Sequence, residues 1–218
     1  VYKINHCATM DDRQLTPAES MKLIASMIST TKHRVGIVDL RISVMWAILT
    51  IATAALWLIL MLCLHSPWIS IIWFAIPVIG LPASFFMARK QAPQQPKTYP
   101  QNLCDGIWKS VGFFAILLTL VCTGFNLAGY PQAWLAMFFY ALIVVGAGTT
   151  AMGLVLKEAS YVAGGAFSVT AGFVLVILSL CGIPLPAVWV IPVYILSFIL
   201  SFIVPAFIIG RRIKNEDA

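Results

Sequence analysis

Apolar residues along the chain gather into long unbroken runs parted by short polar segments. A continuous run of about 20 apolar residues lets a helix cross roughly 30 Å of hydrocarbon with every backbone hydrogen bond satisfied inside the segment. Six runs meet this length and are predicted as transmembrane helices: residues 43–64, 68–88, 110–128, 132–156, 162–180 and 188–209. None contains Lys, Arg, Asp or Glu. Barrel strands would alternate apolar and polar positions, which these runs do not. The expected fold is therefore all-α, a polytopic membrane protein of six transmembrane helices arranged as three αα-hairpins.

Ahead of the first run the pattern changes to one with a helical period. Thr16, Pro17 and Glu19 read as a helix start, with Thr16 as the cap, Pro17 at the first helical position and Glu19 completing a capping box. Met21, Ile24 and Ile28, flanked by Leu23 and Met27, then recur on one face, with Glu19, Lys22, Ser26 and Ser29 opposite. This predicts a cytosolic amphipathic helix over 16–34. Two uses fit it: a helix lying on the inner leaflet or the bundle, or a docking face for a cytosolic protein or a second copy, formed by Met21, Ile24, Met27 and Ile28.

The remaining polar segments read as connections. Residues 1–15 are expected to be a flexible tail, with Met10 as the physiological start, and residues 1–42 lack the apolar core of a cleavable signal. Pro93, Pro96 and Pro100 among Gln91, Gln94, Gln95 and Gln101 predict an extended cytosolic linker over 89–106. Residues 210–218 form the expected C-terminal tail. No such segment is long enough for a soluble core of its own.

Composition agrees with the pattern: of 218 residues, 61% are hydrophobic and 10% charged, and the mean hydropathy is +0.93. A soluble domain would carry about 25% charge. The net charge of +6 would point to nucleic acid in a soluble protein, so the placement of each charge matters. Lys32, Arg34, Arg41, Arg89, Lys90, Lys97, Lys109, Lys157, Arg211, Arg212 and Lys214 all fall on the side of the termini, while the three opposite turns carry no charge. By the positive-inside rule both termini are expected in the cytoplasm, and the lipid bilayer rather than nucleic acid is the expected partner of the basic residues. Trp68, Trp134 and Trp189 at the outer side and Trp46 and Trp108 at the inner fit interfacial anchors. Trp57 and Trp73 lie deeper and are expected to pack between helices.

Candidate chemistry is sparse. Ion-coupled transport and intramembrane proteolysis generally need ionisable groups inside the membrane, and the spans have no charged residue. The sequence calls for no catalytic residue, metal site or cofactor. Neutral small residues are dense in the fourth and fifth spans: Gly146, Gly148, Thr149, Thr150 and Gly153, then Gly164 and Gly165. They suit close helix packing with hydroxyls bonding across the interface, or a backbone-lined solute path. Pro77, Pro82, Pro192 and Pro205 are expected to kink the second and sixth spans, or to hinge them. His65, in the first outer turn, has no neighbouring ligand residue.

Cys63, Cys122 and Cys181 are evenly spaced, each closing an odd-numbered span before a turn, a Pro and a Trp. This suggests three repeated hairpins, with chance matches between apolar segments as the alternative. A Cys63–Cys181 disulfide on the outer side is a further candidate.

The run Leu15-Thr16-Pro17-Ala18-Glu19-Ser20, followed by Leu23-Ile24, Met27-Ile28, Thr31, Lys32, His33 and Arg34 and then by Trp46, resembles a group of uncharacterised bacterial multi-pass inner-membrane proteins. The resemblance is clear over the N-terminal helix and the start of the first span, and beyond that rests on hydropathy. A Gly commonly follows the Trp in that group, where Ala47 stands here. It implies a bacterial inner-membrane protein of shared architecture and carries no catalytic residue over. The expected function is a non-enzymatic scaffold, sensor or complex subunit acting through the amphipathic helix. The alternative is a small-solute transporter or channel subunit using the Gly/Thr-rich spans.

Overall fold

The structure, a computed structural model, describes residues 17–64, 67–90, 99–130 and 133–216, and over 17–39 the only side chain described is Met21. The chain divides into two units, Val1–Gly36 and Ile37–Ala218. Among the described residues every regular element is helical.

Helix α1 runs from Pro17 to Leu64 as one element. The amphipathic helix and the first span, expected as separate elements at 16–34 and 43–64, are thus one helix. The charges and Gly36 that separated them in the sequence do not stop a helix, and no proline follows Pro17 until Pro67. The second span is composite. A 3-10 helix, Pro67–Phe74, leads into α2, Ala75–Lys90. Its 8 and 16 residues, rising about 2.0 and about 1.5 Å each, reach about 40 Å, enough to cross the membrane.

Helix α3 spans Tyr99–Leu127, α4 Ala133–Leu156 and α5 Ala159–Leu180. Helix α3 thus begins well before residue 110, and residues 99–106 of the expected linker are helical, while its residues 91–98 lie outside the described ones. Pro100 lies in the first turn of α3, where its missing N–H costs nothing, and Cys104 and Trp108 turn inward one helical turn apart. The sixth span is built from α6, Ala187–Phe198, a π-helical turn, Ile199–Ile203, and α7, Val204–Glu216. Residues up to Glu216 in the expected tail are therefore helical, with Lys214 in the last turn complementing the helix dipole.

Among the described residues five segments are long and apolar enough to cross a membrane: Leu40–Leu64, Tyr99–Leu127, Ala133–Leu156, Ala159–Leu180 and Ala187–Arg212; the apolar stretch Ile71–Met87 is shorter. Large apolar side chains cover the outside. On α3 alone Phe113, Phe114, Ile116, Leu120 and Phe125 are exposed, a surface suited to lipid rather than water. The protein is an all-α, membrane-embedded bundle.

Its core is aromatic. Trp57 and Trp73 are buried as expected and meet Phe138, with ring centroids 5.6 and 4.8 Å from it. The rings continue through Tyr194, Phe198 and Phe202, one helical turn apart on the sixth span, to Trp108. A second cluster joins Leu40, Cys104, Leu156, Tyr161 and Ile209. It gathers the start of the first span, the starts of α3 and α5, the end of α4 and α7 at one end of the bundle, the end that carries the basic residues.

Candidate functional site

The small residues of α4 and α5 let the two helices pack backbone against backbone. Gly146 and Gly153 on α4, and Gly165 and Gly172 on α5, are each two turns apart, so each pair keeps one face. The helices run antiparallel and meet along that face. A Cβ on Gly146 would stand 2.8 Å from the Gly165 carbonyl oxygen and the Val169 nitrogen, and one on Gly153 would stand 2.7 Å from the Val162 nitrogen. A Cβ on Gly165 would overlap the Thr150 hydroxyl and lie 2.6 Å from its backbone nitrogen, and one on Gly172 would stand 2.9 Å from the Phe139 carbonyl oxygen. Backbone thus fills the space that side chains would take.

Hydroxyls meet the expectation in part. Thr149 and Thr150 donate to the carbonyls of Val145 and Gly146 on their own helix, at 2.8 Å each. With a carbonyl one turn back always in reach, a helical Thr needs no partner across the interface. The cross-helix bonds come from serines instead: Ser168 donates to the Leu142 carbonyl at 3.1 Å, and Ser201 to the Gly164 carbonyl at 3.0 Å. Gly148 belongs to another contact, where a Cβ would overlap the Val111 side chain of α3.

Gly164 faces the sixth span. Any Cβ there would collide with the Leu200 carbonyl and lie 2.8 Å from the Ser201 Cα. Those two residues sit inside the π turn, and Pro205, fully buried, follows it. A proline ring clashes with the carbonyl four residues back, here Ser201, and the wider π turn moves that carbonyl away. Pro205 therefore shapes the turn that leans on Gly164.

The other prolines divide. Pro77 is the third residue of α2, just after the change from 3-10 to α-helix. Pro82 and Pro192 do lie inside α2 and α6.

Of the expected docking residues, Met21 is exposed, and the side chains of Ile24, Met27 and Ile28 lie outside the described residues, as do His65 and Trp68. Trp189 is exposed, as an interfacial anchor would be. Trp46 and Trp108, expected near the inner interface, bond between helices. The Trp46 indole N–H donates to the Ser84 hydroxyl at 2.8 Å, with its ring over Gly80, and Trp108 donates to the Met152 sulfur at 3.2 Å. Each ring finds an interhelical slot opposite a small or flexible residue.

Cys63 and Cys181 are exposed free thiols, so the expected disulfide is not present. The segments expected to form three repeated hairpins also differ in build: the first includes a 3-10 helix, the second plain helices and the third a π turn. The second and third share a turn. Gly129 and Gly182, at φ 94° and 73°, each end their helix in the same left-handed cap, with Tyr130 and Ile183 donating back to Phe125 and Leu178.

Sequence reading assigned no helix contact to Ser201 or Gly172, and missed a groove between α1, α2 and α7. Ser201 carried a signal, since it lies one helical turn from a buried proline. The groove carried none, because its residues are ordinary apolar ones. Known protein families, curated proteins and solved structures offer no match to this chain.

Proposed function

We propose that this chain is a multi-pass protein of the bacterial inner membrane, with both termini in the cytoplasm, that acts without enzymatic activity as a scaffold or complex subunit. It docks a cytosolic protein on Met21, Ile24, Met27 and Ile28. The packing of α4 on α5 carries this reading: the residues that suited a solute path are spent on backbone contact, so the bundle serves as a fixed platform. The segregation of positive charge supports the orientation, and the exposed Met21 supports an available apolar face.

Purification from native membranes in mild detergent tests it. The wild type is expected to retain a soluble protein in stoichiometric amount, and Ile24→Asp with Ile28→Asp to lose it while the bundle unfolds at an unchanged temperature. A partner retained by that variant contradicts the proposal. So does solute flux through liposomes holding the purified protein alone, abolished by Gly148→Leu in a folded variant.

A further inference from the structure

The groove between α1, α2 and α7 lies wholly within the second unit and has a volume of about 830 Å³, within the roughly 300–1,000 Å³ range of ligand sites. Small residues give it depth, with Ala52 on α1, Ala83 on α2 and Ala206 and Gly210 on the sixth span. One wall is fixed by the Trp46–Ser84 bond between α1 and α2. From Arg41 to Ala52 it follows α1 for about 17 Å at about 1.5 Å per residue, close to half of the roughly 30 Å hydrocarbon thickness. It is open on one side and runs the depth of one leaflet.

Its polarity is asymmetric. Apart from Arg41 at one end, every lining side chain is apolar. Arg41 is exposed, and among the described residues nothing pairs with it. Two more guanidinium groups stand at the same end, just beyond lining residues Met87 and Gly210: Arg89, 4.2 Å over the Phe85 ring, and Arg211, 4.2 Å over the Phe207 ring. Glu158, an acidic residue at this end of the bundle, is held by Arg212 at 3.1 Å. An apolar channel one leaflet deep with exposed arginines at its headgroup end matches one molecule in two parts.

We propose that this groove is a binding site for an anionic phospholipid, with an acyl chain lying along Val44, Ile48 and Ala83 and the phosphate at Arg41. Arginine suits the phosphate because its planar fork donates two parallel hydrogen bonds. Arg89 and Arg211 add positive potential at the same level.

Native mass spectrometry of the full chain in detergent, titrated with phosphatidylglycerol or phosphatidylcholine of identical chains, tests this. Phosphatidylglycerol is expected to bind with a preference of roughly tenfold, and Arg41→Gln to remove most of that preference. Ala83→Phe, or Ile48→Trp should the first variant not fold, fills the channel and is expected to reduce binding of both lipids. Lys214→Gln, a basic residue outside the groove, is expected to leave the preference in place. Equal binding of the two lipids overturns the proposal, as does a preference that falls as much with Lys214→Gln as with Arg41→Gln. A lipid-free dimer that Ala83→Phe dissociates would give the groove to a second copy and also overturn it.

Discussion

Single positions in this bundle are decided by how much room the neighbouring backbone leaves. Gly165 and Gly112 are both helical glycines in transmembrane segments, yet a Cβ would meet the Thr150 backbone at the first and nothing within 4 Å at the second. Gly165→Ala is therefore expected to cost about 1–3 kcal/mol through overpacking, and Gly112→Ala to be neutral or to gain up to about 1 kcal/mol of helix propensity. Unfolding in mixed micelles checks the pair, and equal effects would refute the packing account. Lys157 is the opposite case. It ends α4 at φ 57°, with Glu158 donating to the Gly153 carbonyl at 2.9 Å and Lys157 to that of Leu154, the cap that Gly129 and Gly182 make with glycine. Lys157→Gly is expected to stabilise the protein by about 1 kcal/mol by relieving the left-handed backbone. An unchanged or lower unfolding temperature would contradict this. Residue types pointed to the glycine contacts in the sequence, but not to which helix each glycine faces: Gly146, Gly153 and Gly165 serve α4 and α5, Gly148 serves α3 and Gly164 the sixth span. That depends on helix rotation, which an all-apolar run does not encode because it has no polar face.

Elements were legible where composition changes abruptly and illegible where a helix simply continues. The apolar runs located the spans, while α1, α3 and α7 each extend past theirs because charged residues limit membrane burial, not helix formation. The π turn had a local cause in Pro205 but no periodic signature. It predicts a coupling. If Pro205 shapes the turn that presses the Leu200 carbonyl toward Gly164, then Pro205→Ala, which allows a regular α turn, changes the cost of Gly164→Ala. A double-mutant cycle is expected to show an interaction energy of about 0.5–3 kcal/mol. Additive effects would mean that the turn and the α5 contact are independent. The Arg212–Glu158 ion pair joins the same elements near the bundle's end, but its arginine is 57% exposed, so its loss is expected to be barely measurable beside the coupling.

For the whole molecule, hydropathy gives the class and charge placement an expected direction of threading, and the packing of apolar faces supplies the rest. The aromatic line from Trp57 to Trp108 and the groove beside α1 both arise from side chains that look interchangeable in sequence and become distinct only when the helices meet. The proposed role depends most on the topology, because the N-terminal docking face, the basic end and both termini must share the cytoplasmic side. Cys63 and Cys181 are exposed at the ends of α1 and α5 away from the basic residues, and Asn215 is exposed near the end of α7. Labelling of single-cysteine variants with a membrane-impermeant maleimide distinguishes the sides most directly. Cys63 and Cys181 are expected to label in intact spheroplasts, and Asn215→Cys only in inverted membrane vesicles. Labelling of Asn215→Cys from outside, or of Cys63 and Cys181 from opposite sides, would contradict the account.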